Sequence, residues 1–453
     1  MAESFEGVIA FAFMSAMILV GTVLRARLRF IQVALIPASL LGGTIGFFLI
    51  TTGFSFGFES QDFVAFAFHF FTLSFMSLVL TGKENTGAAP TSVKAGGLWL
   101  SVGWTMSLAL QALVGLIALM AFNAATGGEL SHYLGIIVTH GFTQGPGQAM
   151  AMGSIWQNEF GVDDAVNFGL IYASLGFIIS FIVGVPAARY AIKKGLNTNT
   201  AARLDEAFLK GVHPDGIGPS AGKQVTHSAN VDSLVFHISI LGVAYLVTDT
   251  YLKQMQIMTD GVTLMGLPTH VFFSHNLFFI HGLMVCLLIR SLVDRLGYGH
   301  YMDNETQKRI TGSSVDLMMT ATVMSIQFAL LSQHFGVIML VCLSVAATTA
   351  LLCFGFGRLL NTLPAERAIT LFGCCTGSTG SGLLLLRILD PDLSTPVARE
   401  LAWFNVAIIF LSLHILMLMA PILPSLGLAT VAIVYGATVM VGAGLLWWLS
   451  PKT

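Results

Sequence analysis

Charged side chains are scarce in this sequence. Only 10% of its 453 residues are Asp, Glu, Lys or Arg, whereas a soluble domain carries about 25%. A further 55% are hydrophobic and the mean hydropathy is +0.81, so the chain cannot cover a water-exposed surface. This shortage excludes an ordinary cytosolic enzyme, a nucleic-acid binder and a disordered scaffold. It leaves an all-α polytopic membrane protein, because irregular backbone cannot face lipid.

The sequence also lacks a metal or disulfide framework. Its five cysteines lie in apolar stretches, and the vicinal pair Cys374-Cys375 suits neither an ordinary disulfide nor a zinc site. We interpret the cysteines as small buried residues. The net charge of −2 gives no sign of a charged macromolecular partner. The N-terminus carries Glu3 and Glu6 without the positive residues of a signal peptide.

What the sequence does contain is a series of long uncharged runs. A spanning helix needs roughly 20 apolar residues, and the sequence predicts about 11 transmembrane helices by this measure. They are residues 7–24, 30–58, 63–82, 95–128, 165–188, 233–248, 261–289, two within 317–357 and two within 401–451.

Two further apolar runs are interrupted by residues that helices resist. Residues 130–158 contain the segment His140-Gly141-Phe142-Thr143-Gln144-Gly145-Pro146-Gly147-Gln148, and residues 373–382 contain four glycines. Pro costs about 3 kcal/mol and Gly about 1 kcal/mol in a helix interior. We therefore predict two re-entrant hairpins, at about 130–158 and 368–395. The alternative is close helix packing through small residues, but two such runs in corresponding places favour hairpins.

The two broken runs divide the chain into halves of the same order, with four spans, a hairpin and one more span. Five full crossings are an odd number, so the second half begins on the opposite face and the repeats are inverted. We predict repeat 1 at 7–187, a cytoplasmic linker at 188–230, repeat 2 at 231–422 and an additional C-terminal helix at 427–449.

The positive charges agree with this topology. It places 18 Lys and Arg residues on the cytoplasmic side and Lys253 alone outside, while Arg387 and Arg399 belong to the second hairpin region. Cytoplasmic loops are enriched in Lys and Arg. The bias indicates an N-terminus outside, a first hairpin entering from outside and a second entering from the cytoplasm.

Broken segments in corresponding places of inverted halves indicate a transporter site. Half-helix N-termini attract anions, and unwound carbonyls and hydroxyls suit Na⁺. The predicted substrate contacts are Thr143, Gln144, Gly145, Gly147, Gln148, Thr379, Gly380, Ser381 and Arg387. The predicted Na⁺ ligands are Thr376, Ser378, Asp316 and Asn167.

Three of these residues have alternative interpretations. Arg387 could clamp a carboxylate or pair with Asp390 or Asp392. Asp316 could bind an ion, as an ionisable group within a span, or cap a helix at the membrane edge. Asn167 lies deeper than the acidic residues before it and could be a ligand.

At its hairpins the chain resembles the sodium/glutamate symporter family. The resemblance rests on residues 141–147, on the stretch Gly184-Val185-Pro186-Ala187-Ala188-Arg189-Tyr190, on the Gly-rich second hairpin, and on Ile36-Pro37 and Gly42-Gly43. It implies Na⁺-coupled uptake of glutamate at a bacterial inner membrane, by a transport domain that moves against a scaffold in an elevator-like way, in a homodimer.

The sequence thus predicts a non-enzymatic secondary transporter that carries L-glutamate or a close carboxylate with Na⁺. Because the second hairpin departs from the family pattern, a Na⁺- or H⁺-coupled carrier of another organic anion, such as a di- or tricarboxylate, stays open. An anion channel using the same tips is a third possibility. Paired carboxylates, HExxH and phosphate-loop motifs were not found, so a membrane enzyme or an ATP-driven pump has no sequence support.

Overall fold

The computed structural model of the protein describes residues 2–81, 91–199, 206–213, 222–264, 267–391 and 393–452. Apart from one antiparallel pair of two-residue strands, β1 (Thr263–Leu264) and β2 (Leu267–Pro268), all regular structure in these residues is helical. The all-α architecture predicted from composition is confirmed. Residues 200–205 and 214–221 of the predicted linker, and Asp392, lie outside the described residues.

The helices of the first half begin at the N-terminus and end before the predicted linker. They are α1 (Ala2–Arg27), α2 (Arg29–Ala34), α3 (Ala38–Thr51), α4 (Val64–Leu80), α5 (Thr91–Thr126), α6 (Tyr133–Ile136), a π-helical turn (His140–Gln144), α7 (Pro146–Phe160) and α8 (Ala165–Lys193). A short helix, α9 (Glu206–Lys210), lies in the linker.

The remaining helices follow the linker. Its helices are α10 (Ser233–Thr259), α11 (Phe278–Arg295), α12 (Asn304–Met324), α13 (Phe328–Gln333), α14 (Phe335–Gly357), α15 (Pro364–Thr376), α16 (Thr379–Leu389), α17 (Val397–Leu411) and α18 (Leu428–Leu449). A π-helical and a 3-10 segment (His414–Met419 and Ala420–Ser425) join α17 to α18.

Eight helices of the described residues are long and apolar enough to cross a membrane, fewer than the eleven predicted. They are α1, α4, α5, α8, α10, α11, α14 and α18. The other three predicted spans correspond to α3, α12 and α17. Helices α3 and α17 have only 14 and 15 residues, and α12 begins with the polar sequence Asn304-Glu305-Thr306-Gln307-Lys308-Arg309.

Three predicted span boundaries were wrong. The run 261–289 becomes an α-helix only from Phe278, because the strand pair β1–β2 and two 3-10 turns precede α11. The run 30–58 is not one helix, because Leu35 adopts a left-handed conformation (φ 54°) and Pro37 precedes α3. Proline disfavours helical backbone at the preceding residue. The span predicted to begin at 317 is the second half of α12, so Asp316 lies inside a helix rather than at a cap.

Helices α1, α3, α4, α10, α11 and α12 form one group, which we call the first bundle. Within it α3 runs parallel to α12, with Ser39 beside Asp316 and Gly46 beside Met324. Helix α4 likewise runs parallel to α11, as the Phe71–Phe279 ring contact and the Arg290–Leu80 hydrogen bond show. In each pair, the second long helix of one half packs along the third of the other.

The second bundle contains α5, α8, α14, α17 and α18 together with the two broken segments. Helix α5, 36 residues long, is its central helix. Helices α14, α17 and α18 pack along α5, and Trp99 Nε1 donates a hydrogen bond to Ser450 Oγ at 3.0 Å just beyond α18. The largest cluster of buried apolar side chains surrounds this helix.

Each broken segment folds back on itself. In residues 133–160, the first hairpin, Trp156 of the second arm contacts the rings of Tyr133 and His140 in the first arm. In residues 364–389, the second hairpin, Gly373 of α15 packs directly on Gly382 of α16. The two arms of each hairpin therefore lie side by side, with the chain break at the far end.

The hairpins approach α5 from opposite ends. Gly135 of the first hairpin packs on Gly115, in the second half of α5. Glu400, which binds the base of the second hairpin, lies against Gly96 near the start of α5. The two hairpins consequently point towards each other along one helix.

Candidate functional site

The tip of the first hairpin, residues 143–148, is shaped by a glycine. The π-helical turn ends at Gln144, and Gly145 has φ 91° and ψ −176°, a conformation that is essentially restricted to glycine. Pro146 then starts α7, where its fixed φ is favourable and no N–H is needed. The residues Gln144-Gly145-Pro146 thus end one arm and start the next without an intervening loop.

The tip of the second hairpin, residues 376–381, is built differently. Helix α15 ends at Thr376, and Ser378 has an extended backbone. The Ser378 hydroxyl caps α16 by accepting a hydrogen bond from the Ser381 N–H at 3.4 Å. This break therefore relies on a side-chain cap rather than on a left-handed glycine.

Several hairpin glycines serve close packing instead. A Cβ at Gly147 would lie 1.9 Å from the Phe71 ring, and a Cβ at Gly373 would lie 2.7 Å from Gly382. The alternative interpretation of these runs, small residues that let helices approach, is therefore correct for these positions. It does not describe Gly145, whose Cβ would have only Gly377 O nearby, at 3.8 Å.

The two tips meet at Gln111, near the middle of α5. Thr143 Oγ1 donates to Gln111 Oε1 at 2.6 Å, and Gln111 Nε2 donates to the Cys375 carbonyl at 2.7 Å. Thr143 Oγ1 also lies 3.2 Å from that carbonyl. Since Gly145 also faces Gly377, the two breaks in the chain form one polar centre inside the second bundle.

Each tip joins the end of one helix to the start of another. The N–H groups of Gly147 and Gln148 begin α7, and those of Thr379 and Gly380 begin α16. First-turn N–H groups have no partner within their helix and carry partial positive charge. The carbonyls of the preceding arms carry partial negative charge, so each tip offers groups for an anion and for a cation.

Several polar side chains around the tips have unused hydrogen-bonding capacity. Gln144 is 9% exposed and makes no side-chain hydrogen bond within the described residues. Ser381 Oγ is buried without a partner there, and the buried side chains of His140 and Gln148 face each other without a hydrogen bond of full geometry. Buried polar groups are normally hydrogen-bonded, so unpaired ones need an explanation such as a ligand or water.

The tips carry no formal charge. Residues 143–148 and 376–381 contain no Asp, Glu, Lys or Arg, and no ion pair given by the described residues involves them. Their polar atoms are hydroxyls, amides and backbone groups. Such hard oxygen donors suit Na⁺ and not a transition metal, and the described residues contain no group of three His, Cys, Asp or Glu side chains that could hold a metal.

The tips face the first bundle. Gly147 contacts Phe71 of α4, and a Cβ at Gly380 would lie 3.7 Å from Val315 of α12. Thr143 is 2% exposed, whereas Ser378, Thr379 and Gly380 are half-buried. The second tip is therefore the more open of the two.

Two predicted site residues, Arg387 and Asn167, lie away from the tips. Arg387 is exposed on α16, eight residues beyond Thr379 or about 12 Å along the helix. Asn167 lies in the first turn of α8, where its amide approaches Asp164 Oδ1 at 3.4 Å. That position is nine residues, roughly 13 Å, before Gly176, which packs against the Thr376 carbonyl of the second tip.

Asp316 occupies an intermediate position. It follows Val315, the neighbour of Gly380, but its carboxylate accepts a hydrogen bond at 2.8 Å from Ser39 Oγ, at the start of α3. The carboxylate therefore joins α12 to α3 within the first bundle. The backbone of Asp316 therefore lies beside the second tip, while its carboxylate is turned to α3.

Sequence reasoning missed three polar residues at the tips. Gln111 bonds both hairpins, Thr349 of α14 accepts a hydrogen bond from Gln111 Nε2 at 3.0 Å, and Asn405 of α17 accepts one from Thr379 Oγ1 at 3.3 Å. Each lies in a largely apolar helix. An amide in the middle of a predicted span was the available signal, because polar groups in a membrane helix face the bundle interior.

The base of the second hairpin is held by charged groups. Arg367, 3% exposed, binds the fully buried Glu400 through two bonds, Nη2 to Oε1 at 2.6 Å and Nε to Oε2 at 2.9 Å. Arg367 Nη1 also donates to the Thr362 carbonyl at 2.8 Å. The pair ties α15 to α17, and Gly96 of α5 leaves room for the carboxylate.

The loop after α16 is organised by Asp390. Its carboxylate accepts hydrogen bonds from the Thr395 N–H at 2.8 Å and from the N–H and hydroxyl of Ser394 at 3.0 and 2.8 Å. Burial opposes the charge of this carboxylate, but these hydrogen bonds outweigh burial and hold its pKa below the usual value. Asn199, beyond α8, also donates to it at 3.3 Å.

Inside the protein, the base of the first hairpin is held by neutral groups; at the surface, Glu159 Oε2 also lies 3.3 Å from His270 Nε2. Trp156 Nε1 donates to the Ala420 carbonyl at 2.7 Å, and the Tyr133 hydroxyl donates to the Pro424 carbonyl at 3.0 Å. Both carbonyls belong to the 3-10 segment that follows α17. Asn123, near the end of α5, donates to the Leu130 carbonyl at 2.8 Å.

Comparison with known proteins identifies a family. The family model described as "Sodium/glutamate symporter" matches residues 4–360 of the chain, which is more than three quarters of its length. The match includes the first hairpin and ends before α15. No curated protein matches the chain.

Proposed function

The chain belongs to the sodium/glutamate symporter family, and from this premise we propose that it couples Na⁺ entry to the uptake of L-glutamate or a closely related carboxylate. The family is one of transporters, and the eight candidate spans are those of a membrane protein. The proposal assigns the polar centre between the tips to substrate and ion together. It assigns no covalent chemistry to the protein.

The observation that carries the proposal is the absence of formal charge at the tips. Moving a carboxylate out of water without a counter-charge is strongly unfavourable. Residues 143–148 and 376–381 provide no cationic side chain. An anion that binds there is stabilised by helix N-termini and by a cation that arrives with it, which is the requirement of a symporter.

The tip residues divide by chemistry. The N–H groups that begin α7 and α16 and the free amide of Gln144 suit a carboxylate. The hydroxyl of Ser381 and the carbonyls that end α15 suit Na⁺. Gln148, Thr379 and Gly380 complete the proposed substrate contacts, and Thr376 and Ser378 the proposed ion contacts.

The paired packing of α3 with α12 and of α11 with α4 supports two inverted repeats, at 7–187 and 231–422. In this proposal the first bundle is the scaffold, and the second bundle, with its hairpins, is the transport domain that moves against it. The tips then face alternate sides of the membrane. The N-terminus is periplasmic, the membrane is the bacterial inner membrane, and the protein is a homodimer.

A second candidate is a Na⁺- or H⁺-coupled carrier of another organic anion. It is favoured by the position of Arg387, about 12 Å from the second tip along α16. Without that guanidinium the tips lack a fixed cation to recognise the second carboxylate of glutamate. A different anion could then satisfy the same neutral groups.

The proposal is tested by uptake of radiolabelled L-glutamate into proteoliposomes, with and without an inward Na⁺ gradient. We expect saturable uptake that requires Na⁺ and is blocked by unlabelled glutamate but not by unrelated carboxylates. Thr379→Val should lower the rate by up to about 10-fold, because it removes a hydrogen-bonding hydroxyl worth about 0.5–1.5 kcal/mol, and about 1.4 kcal/mol corresponds to a factor of ten. Thr348→Val is the matched control, because that hydroxyl bonds only carbonyls of its own helix.

Two outcomes would redirect the assignment. If a dicarboxylate other than glutamate blocked a Na⁺-driven flux, that anion would be assigned as the substrate. Absence of any Na⁺-dependent flux in folded protein would remove the symport proposal.

A further inference from the structure

Gln111 occupies an unusual position for an amide in a membrane helix. It is fully buried in the middle of α5, the helix along which both hairpins approach each other. Its side chain reaches across to the last turn of each first arm, Thr143 in one hairpin and Cys375 in the other. Among side chains outside the hairpins, no other one in the described hydrogen bonds contacts both hairpins.

The chemistry of the partners fixes the direction of the amide. The Cys375 carbonyl can only accept a hydrogen bond, so the NH₂ group of Gln111 must face the second hairpin. Its carbonyl oxygen then faces the first hairpin and accepts from the Thr143 hydroxyl. Thr349 and Ser107 lie 3.0 and 3.2 Å from the same nitrogen and hold the amide in this orientation.

The arrangement connects the two tips mechanically. The Cys375 carbonyl lies at the end of the arm that leads to the second tip. If it moves, the Gln111 amide that is bonded to it moves as well, and so does Thr143 at the first tip. The direct contact between Thr143 Oγ1 and the Cys375 carbonyl, at 3.2 Å, is longer than either bond to Gln111. The amide is therefore the stronger of the two connections.

We propose that Gln111 is a positioning residue that couples the two tips, so that an ion at the second tip raises the affinity for substrate bound between the tips. This inference rests on the proposed function, because it assumes that both ligands bind at the tips. Coupling between two sites typically changes affinity by 5- to 150-fold. Gln111 would act through Thr143 and Cys375, without touching either ligand.

The test is the Na⁺ dependence of the KM for L-glutamate in proteoliposomes. For the wild type, we expect the KM at limiting Na⁺ to exceed the KM at saturating Na⁺ by about 10-fold or more, within the usual range of coupling. Gln111→Met keeps the length of the side chain and removes its hydrogen bonds to both hairpins. Its KM ratio should fall close to one, with a smaller change in maximal rate.

A matched pair on α14 provides an independent variant. Thr349→Val removes the hydroxyl that holds the Gln111 amide, whereas Thr348→Val removes a hydroxyl bonded only to its own helix. We expect Thr349→Val to lower the KM ratio partially and Thr348→Val to leave it unchanged. If Gln111→Met fails to fold in detergent, this pair decides the question.

The outcomes separate the inference from the proposed function. A wild type without Na⁺-dependent glutamate uptake contradicts the proposed function, whatever the variants do. A coupled wild type with an unchanged KM ratio in folded Gln111→Met, or with equal ratios in the two threonine variants, overturns the role of Gln111 alone. A lower maximal rate at an unchanged ratio also overturns it, because it would indicate a merely structural residue.

Discussion

The two hairpins meet at one centre but are held in different ways. The first is anchored by neutral groups, an indole and a phenol that donate to main-chain carbonyls, and its tip is buried. The second is anchored by the buried Arg367–Glu400 pair, and its tip is half-buried. Strong attachment at the base combined with loose packing at the tip favours movement of the second tip, and we expect it to be the more mobile of the two.

The largest effect should come from breaking the charged anchor. Arg367→Met leaves Glu400 buried and unpaired, and loss of one partner of a buried ion pair costs about 3–5 kcal/mol. We expect a large fall in the thermal unfolding midpoint of purified protein in detergent. The double variant Arg367→Met with Glu400→Met should recover most of the lost thermal stability, because replacing both partners of a buried ion pair with apolar residues is often neutral. No recovery would mean that the pair is not the anchor.

The second-largest effect should come from substitution of a tip glycine, and it should differ between the two tips. From sequence alone, Gly145 and Gly380 are equivalent breakers, but only Gly145 has a positive φ. Gly145→Ala should destabilise the tip by about 1–3 kcal/mol and abolish transport. Gly380→Ala should be tolerated, because its new Cβ would meet Ser378 Oγ and Val315 Cγ1 at 3.4 and 3.7 Å. Uptake rates and unfolding midpoints of both variants check this order, and equal defects would contradict it.

Removing a neutral anchor should have a moderate effect. Trp156→Phe keeps the aromatic ring and loses the hydrogen bond to the Ala420 carbonyl, which is worth about 0.5–1.5 kcal/mol. Tyr133→Phe should lose a similar amount at the Pro424 carbonyl. We expect small shifts in the unfolding midpoint, and proteolysis within residues 130–160 would detect any loosening. If these variants lowered the unfolding midpoint as much as Arg367→Met, the two anchors would not differ in strength.

The smallest effect should be on the stability of the fold at low pH. The pKa of Asp390 is lower in the folded protein than in the unfolded chain, so its charge stabilises the fold above the unfolded pKa. This contribution is lost as pH falls through the folded pKa, below about pH 4. Asp390→Asn should therefore lose less stability than the wild type on acidification over that window. An identical acid response in the two proteins would remove Asp390 from the second anchor.

The helix breaks at the two tips were visible in the sequence. Glycine and proline within an apolar run are expensive in a helix, so residues 143–148 and 376–381 are visible as breaks. The number of spans was less predictable. Pro37 shortens α3, and α12 begins at Asn304 rather than at the predicted residue 317 because its polar first turns pack within the first bundle. These lengths depend on tertiary contacts that hydropathy does not record.

Individual site residues were predicted least well where a side chain is far from the break in sequence. Gln111 precedes the first tip by more than thirty residues, and nothing local separates it from Asn123 on the same helix. Arg387 shows the opposite problem, since closeness in sequence to the second tip becomes about 12 Å of helix. Only the folding of both hairpins onto α5 decides which amides and cations reach the centre.

The measurement that tests the central claim most directly is hydrogen–deuterium exchange of the full-length protein, with Na⁺ alone, L-glutamate alone and both together. If the two tips form one site for substrate and ion, residues 141–148 and 376–382 should both be protected when both ligands are present, and less so with either one. Protection confined to one tip, or located outside both, would contradict the shared site.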